Sequence, residues 1–184
     1  MKKSLLNFFI VLLTILINTG GHAQKVITKT GTIKFQATVP SYEEVAAENK
    51  SVSAILDQST GDFAALALIK GFRFKVALME EHFNENYLES EKYPTASFKG
   101  KIQEQHDLSK AGTYPVTAEG SLTIHGVTKP VTVKGTILSS GTDLKLDFKF
   151  QVEPEEYKIE VPSLVITKIA ETIDVTGKMT LVKK

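Results

Sequence analysis

His125 is the first residue of this sequence to consider for catalysis or metal binding. It lies in "SLTIHGVTKPVTVKG", where apolar and polar residues alternate, stop at His125-Gly126, and alternate again after Pro130. Glycine permits a positive φ and proline begins a strand without donating a hydrogen bond, so this spacing predicts a hairpin connection between antiparallel strands. The sequence has no cysteine and no Gly-x-Ser-x-Gly elbow that a histidine would activate. We therefore interpret His125 as a turn residue.

The segment "LMEEHFNENYLES" carries a second group of candidate ligands: Glu80, Glu81, His82 and Glu85. Metal binding is one interpretation of these side chains. Met79, Phe83 and Tyr87 recur at i, i+4 and i+8, which predicts a helix with one apolar face. We favour a solvated acidic face on a helix whose apolar side caps the mouth of the fold, where it is also placed to act as a lid.

Period-two alternation of apolar and polar residues dominates the rest of the chain and predicts about eight strands, each with one buried side. The predicted strand segments are 31–39, 51–57, 62–78, 95–103, 113–125, 131–138, 143–152 and 172–182; 62–78 is a long apolar stretch whose second half alternates. Within 62–78, the pattern places Phe72, Phe74, Val76 and Leu78 inside. A second short helix is predicted over "PSYEEVAAEN", where Ser41 and Glu44 form a capping box. The segment 163–170 is predicted to be a further strand or the start of the last one.

Strands with one apolar face can close into a barrel or stack as a sandwich. Five glycines on the inward faces favour the barrel, because glycines within strands often mark the bends that a closed sheet needs. They are Gly31, Gly100, Gly120, Gly135 and Gly177. The predicted fold is therefore an all-β, antiparallel barrel of about eight strands with one or two short helices.

The N-terminus has the layout of a secretory signal peptide, with basic Lys2 and Lys3, an apolar run from Leu5 to Ile17, and small residues before Gln24. We expect a signal peptide over 1–23 and one domain over 24–184, located in a bacterial periplasm or secreted fraction. No later stretch is long and apolar enough to span a membrane. Cleavage leaves 20 basic and 21 acidic side chains, so the mature chain is close to neutral and has no strong electrostatic field that would attract nucleic acid. The sequence leaves open whether the protein forms a homodimer.

Two blocks of sequence resemble the YceI-like family of secreted bacterial polyisoprenoid-binding proteins. The first is "GTYPVTAEGSLTIHGVTKPVTVKGTI", which contains the Leu-Thr-x-His-Gly-Val-Thr-Lys-Pro-Val core from Leu122 to Val131. The second is "EEHFNENYLESEKYPTASFKGKI", with an acidic helix followed by Lys-Tyr-Pro-Thr before a strand. The resemblance implies an extended, lipocalin-like barrel that holds an isoprenoid chain in its interior.

The resemblance also implies a function, which is to bind and carry or sequester an apolar isoprenoid, such as a quinone or its precursor, without catalysis or a cofactor. Small inward residues would leave room for the lipid: Ala37, Ala54, Ala96, Gly100, Ala118, Gly120, Gly135 and Gly177. The predicted ligand-binding residues are Phe35, Phe72, Phe74, Phe98, Leu122, Phe148, Phe150 and Met179. Two alternatives stay open: a stress-related or envelope interaction module whose barrel is filled by side chains, and a lipid hydrolase, for which no coherent catalytic set is found.

Overall fold

Antiparallel strands make up most of the computed structural model, which describes residues 25–38, 44–161 and 169–183. The strands are β1 (Lys25–Thr38), β2 (Ala46–Asp57), β3 (Asp62–Leu68), β4 (Arg73–Phe74), β5 (Thr95–Ile102), β6 (Gly112–Ile124), β7 (Val127–Ser139), β8 (Leu144–Val152) and β9 (Ile169–Lys183). Between β4 and β5 lie the helix α1 (Ala77–His82) and a π-helical turn, Phe83–Tyr87. Single 3₁₀ turns occur at Ile69–Gly71 and Pro154–Tyr157.

The sheet closes on itself as a barrel. Its strand order is β1-β9-β8-β7-β6-β5-β3-β2, and β1 also pairs with β2, so eight strands complete the ring. The two-residue β4 adds to the start of β2. Closure pairs the backbone groups that an open sheet would leave at its edges, which is the physical advantage of a barrel over a sandwich. The predicted all-β, lipocalin-like barrel is confirmed.

Two of the inward glycines are needed where β5 and β6 come unusually close. Gly100 and Gly120 are direct partners across this pair. A Cβ at Gly120 would lie 2.3 Å from the Lys99 carbonyl oxygen and 2.5 Å from the Gly100 Cα. Real Cβ atoms do not approach backbone this closely, so only glycine fits without moving the strands apart.

The barrel interior differs between its two ends. At the end that holds the start of β1 and the finish of β9, the inward side chains pack fully: Val26 and Leu181 are 0% exposed and Leu144 is 1% exposed. This packed end supplies the core that a chain without disulfides needs for stability. At the opposite end, the segment from Ile69 to Pro94 crosses the barrel mouth between β3 and β5. We call the first end the packed end and the second the lid end, and we call the helical segment from Ala77 to Tyr87 the lid.

The capping-box helix predicted over "PSYEEVAAEN" is wrong for the part that the structure describes. Ala46 to Asn49 belong to β2, where Ala47 pairs with Phe35 of β1 and with Phe74 of β4. Pairing on both sides satisfies the backbone of this segment, which outweighs its local preference for helix. Ser41 lies outside the described residues.

The strand predicted from Phe72 to Leu78 is also mostly wrong. Only Arg73 and Phe74 form a strand, and the chain enters α1 after Val76. Val76 is 37% exposed and Leu78 is 56% exposed, so their alternation with polar residues does not place them in a closed core. The helix predicted over Met79 to Tyr87 is confirmed, as α1 followed by the π-helical turn.

The proposed signal peptide lies outside the described residues and stays a prediction, as does most of the segment 163–170, of which Ile169 and Ala170 lie in β9. Within 25–38, 44–161 and 169–183, no helix has the length and apolar character needed to cross a membrane.

Candidate ligand-binding site

A cavity of about 570 Å³ occupies the barrel interior towards the lid end. Its walls come from the inward faces of β1 and β3 and of β5 to β9, and its mouth is lined by the segment from Ile69 to Leu88. This volume falls within the range of roughly 300–1,000 Å³ that is usual for small-molecule sites. The barrel therefore has room for a ligand of substantial size.

The burial of the inward aromatic residues indicates the same empty space. Phe148 and Phe150 face the interior from β8, yet each is only partly buried. In a filled barrel these rings would contact side chains from the opposite strands and lose their exposure. Here they remain partly exposed and form part of the apolar wall of the cavity.

Phe148 owes its position to a glycine on the neighbouring strand. Gly177 of β9 is its direct partner, and a Cβ at Gly177 would lie 2.0 Å from the Phe148 Cζ. The ring therefore lies across the space that a side chain at 177 would take. Gly177 therefore makes room for the Phe148 ring. It does not leave the open space for a ligand that a small inward residue was expected to leave.

Four phenylalanines cluster where the lid meets the barrel: Phe35, Phe72, Phe74 and Phe83. The Phe83 ring centroid lies 5.4 Å from that of Phe35, 5.7 Å from Phe72 and 5.1 Å from Phe74. These separations are those of favourable aromatic pairs. Phe83 comes from the π-helical turn, so the cluster joins the lid to the apolar wall.

Glu80 holds α1 in this place through polar contacts. Its Oε1 accepts a hydrogen bond from the Arg73 Nη1 at 2.8 Å, and its Oε2 accepts one from the Phe74 backbone N–H at 3.1 Å. The Glu80 carbonyl accepts a further bond from the Asn84 Nδ2 at 2.8 Å. The Glu80 carboxylate, which the sequence suggested as a candidate metal ligand, therefore forms the hydrogen bonds that attach the lid to β4.

Seven of the eight predicted ligand-binding residues line the cavity: Phe35, Phe72, Phe74, Phe98, Leu122, Phe148 and Phe150. The structure does not place Met179 among the lining residues. Met179 is 2% exposed and lies towards the packed end, beside Gly31 and opposite Leu146. That these residues contact a lipid stays a prediction.

The small residues that create the space are mainly alanines. The lining includes Ala37, Ala65, Ala67, Ala96, Ala118 and Gly135. Four other small inward residues are not part of the lining: Ala54, Gly100, Gly120 and Gly177. Around Gly100 and Gly177 the space is taken by the rings of Phe98 and Phe148.

Polar side chains are few in the cavity and concentrate on the lid. His82 and Tyr87 line it from the helical segment, and Ser97 lines it from β5. Burial raises the pKa of the Tyr87 hydroxyl above its ordinary value, because the phenolate is harder to solvate there. Among the described lining residues there is no lysine, arginine, aspartate or glutamate.

His125 occupies the hairpin turn that the sequence predicts, and it also makes tertiary contacts. His125 and Gly126 have φ values of 51° and 73°, the signs of a two-residue type I′ turn between β6 and β7. The His125 Nε2 lies 2.8 Å from the Glu89 Oε2, and its Nδ1 lies 3.2 Å from the Tyr157 carbonyl oxygen. Because both partners are acceptors, both bonds form together only when the imidazole carries two protons.

These contacts give His125 a structural role beside the cavity. The ring packs edge-on against Tyr93 at 4.4 Å between centroids. It thereby joins the hairpin to the loop that follows the lid, through Glu89 and Tyr93, and to the 3₁₀ turn at Pro154–Tyr157. Sequence reasoning missed this role. The available signal was local: His125 precedes a glycine in a predicted hairpin turn, where a residue can take a positive φ.

The described residues contain no group of three or more histidine, aspartate or glutamate side chains placed to hold a metal ion. His106 is also placed apart from the cavity, with its Nε2 lying 3.0 Å from the Pro115 carbonyl oxygen and its ring beside Tyr114.

The fold and the site together define a lipocalin-like barrel with an apolar internal cavity. The model of the YceI-like domain matches residues 11–181, so the chain belongs to the YceI-like family. Curated relatives named UPF0312 protein, from Pseudomonas savastanoi pv. phaseolicola and Pseudomonas syringae pv. syringae, are 26% identical over 114 residues. That match covers 61% of this chain and 47% of each relative, so the chain aligns with about half their length.

Solved structures share the fold at low sequence identity. A polyisoprenoid-binding domain from Saccharophagus degradans, implicated in plant cell wall breakdown, has a TM-score of 0.76 at 11% identity, covering 88% of this chain and 99% of that one. BcnA of Burkholderia cenocepacia has a TM-score of 0.68 at 16% identity, covering 83% and 96%. The YceI protein of Campylobacter jejuni has a TM-score of 0.62 at 15% identity, covering 79% and 89%.

Proposed function

We propose that this protein binds an apolar isoprenoid lipid, of the quinone type or a precursor, in the barrel cavity and carries or sequesters it. The observation that carries the proposal is the cavity of about 570 Å³ whose wall is formed by partly buried, inward-facing phenylalanines. The polyisoprenoid-binding domain of Saccharophagus degradans, which has the same fold, supports this choice of ligand class.

The energetics of burial suit a hydrocarbon ligand. Each methylene transferred from water into an apolar site contributes roughly 0.8 kcal/mol, so one five-carbon isoprene unit contributes about 3–4 kcal/mol before the cost of association. Few polar contacts are then needed for tight binding. A cavity wall that is apolar over nearly all its residues matches such a ligand.

The proposal includes no catalytic step and no nucleic-acid partner. Of the three histidines outside the proposed signal peptide, His82 lines the cavity, His106 contacts the Pro115 carbonyl oxygen, and His125 contacts Glu89 and Tyr157. A signal peptide over residues 1–23 would direct the domain to the periplasm or the secreted fraction. There it would move or store a lipid that water does not dissolve.

Native mass spectrometry of protein purified from its own host tests the proposal. We expect a bound adduct of several hundred daltons, released by organic solvent and identified by its mass as an isoprenoid. Protein stripped of lipid should take up an added prenyl quinone. A barrel that is consistently empty and takes up no prenyl lipid would contradict the proposal, and a partner protein captured by cross-linking would then favour the interaction module.

A further inference from the structure

We propose that the Tyr87 hydroxyl, at the lid end of the cavity, binds the head group of the ligand and that this head group is uncharged. The inference rests on the proposed function, because it assumes that an isoprenoid tail occupies the cavity. It adds the orientation of the ligand in the cavity. It also adds a preference of the protein for a carbonyl or hydroxyl head group over a phosphorylated one.

The first argument concerns the unused hydrogen-bonding capacity of Tyr87. This residue lies on the cavity side of the lid with Met79 and Phe83. Its ring is partly buried, and its hydroxyl makes no hydrogen bond with any other residue that the structure describes. The hydroxyl is not among the described buried polar atoms that lack a partner, so it keeps access to water and can exchange that water for a ligand carbonyl or hydroxyl.

The second argument concerns orientation. The packed end closes the barrel with Val26, Leu144 and Leu181, so a ligand enters from the lid end. Val76 and Leu78 line the cavity and are also exposed, which places them at its opening. An apolar tail gains most by lying against the inner phenylalanines, and the polar head group then remains beside the lid.

The third argument concerns charge. A diphosphate head group needs cationic partners when it leaves water, and the described lining residues include no lysine or arginine. Arg73 and Lys75 lie just before the opening, but Arg73 is paired with Glu80 and Lys75 with Glu44. Glu81 and Glu85 are exposed on the lid segment and add negative charge near the entrance. This arrangement disfavours an anionic head group.

The test compares four ligands on stripped protein: a prenyl quinone, a polyprenol, a polyprenyl diphosphate of equal chain length, and squalene, which has no head group. For the natural sequence, we expect the diphosphate to bind at least about tenfold more weakly than the alcohol, because its charge is left without a partner. The Tyr87→Phe variant should bind the quinone and the alcohol about five- to tenfold more weakly, the usual effect of one lost hydrogen bond. Its affinity for squalene should not change.

Tyr114→Phe is the matched control, because the Tyr114 hydroxyl bonds to the Asp107 and Lys110 carbonyl oxygens at the opposite end of β6. It should bind all four ligands as the natural protein does. The inference is overturned if Tyr87→Phe binds quinone and alcohol normally, or if the diphosphate binds as tightly as the alcohol. If neither squalene nor the alcohol binds the natural protein, the proposed function itself fails.

Discussion

Ala65→Leu is the substitution that most directly probes the cavity. Ala65 lines the cavity from β3, between Ala54 of β2 and Phe98 of β5. Leucine adds three carbons that would occupy space otherwise available to the ligand. At roughly 0.8 kcal/mol for each buried carbon, the ligand loses about 2.4 kcal/mol of favourable transfer. We therefore expect the affinity for a prenyl quinone to fall about 50-fold.

The same substitution should not destabilise the free protein. The added carbons fill part of an empty space, and filling a cavity recovers about 24 cal/mol for each Å³ removed. We expect the free energy of unfolding to rise by about 1–2 kcal/mol. Quinone titration, followed by fluorescence or calorimetry, measures the affinity, and urea unfolding followed by circular dichroism measures the stability.

Ala64→Leu is the matched control on the adjacent residue. Ala64 lies on the outer face of β3, between Ile55, which is 38% exposed, and Lys99. The same three carbons are then added outside the barrel, and quinone affinity should stay within about twofold of the natural value. Equal quinone affinities in the Ala65→Leu and Ala64→Leu variants would refute the placement of the ligand in this cavity.

Two further predictions concern stability. Gly120→Ala should lower the free energy of unfolding by about 3 kcal/mol and the Tm by roughly 6–12 °C, since its Cβ would meet the backbone of β5. Gly112→Ala is the control, because its Cβ would meet only the end of a tyrosine side chain at 3.1 Å, and it should cost less than about 1 kcal/mol. Equal losses of stability for the two variants in thermal unfolding would contradict the close approach of β5 and β6. His125→Asn keeps a residue that tolerates positive φ but loses the bonds to Glu89 and Tyr157, so urea unfolding should report a loss of about 1–2 kcal/mol. Unchanged stability would show that His125 is only a turn residue.

Local patterns were sufficient to predict the strands and most of their inner faces, and they favoured a barrel over a sandwich. Period-two alternation identified both Phe148 and Phe150 as inward residues, and the structure places them in the cavity wall. The pair His125-Gly126 identified the hairpin between β6 and β7. These features depend on neighbouring residues in one strand or turn, where side-chain direction follows directly from sequence position.

Predictions failed where distant strands decide the conformation. Ala46 to Asn49 have a helical pattern, yet pairing with β1 makes them a strand. Val76 and Leu78 alternate like buried residues, but the chain enters the helix α1 directly after Val76. Met179 faces inward as predicted, although its position along the barrel places it against the packed end.

The sequence by itself determined that this chain forms antiparallel strands with phenylalanines and small residues on their inner faces, because the alternation within each strand shows which side is buried. Only the tertiary structure decided which inward residues meet and which face empty space. That distinction depends on the register between strands and on how far along the barrel each residue lies. For this reason the cavity at the lid end, the place of Tyr87 in its lining, and the contacts of His125 with two separate segments became evident only in three dimensions.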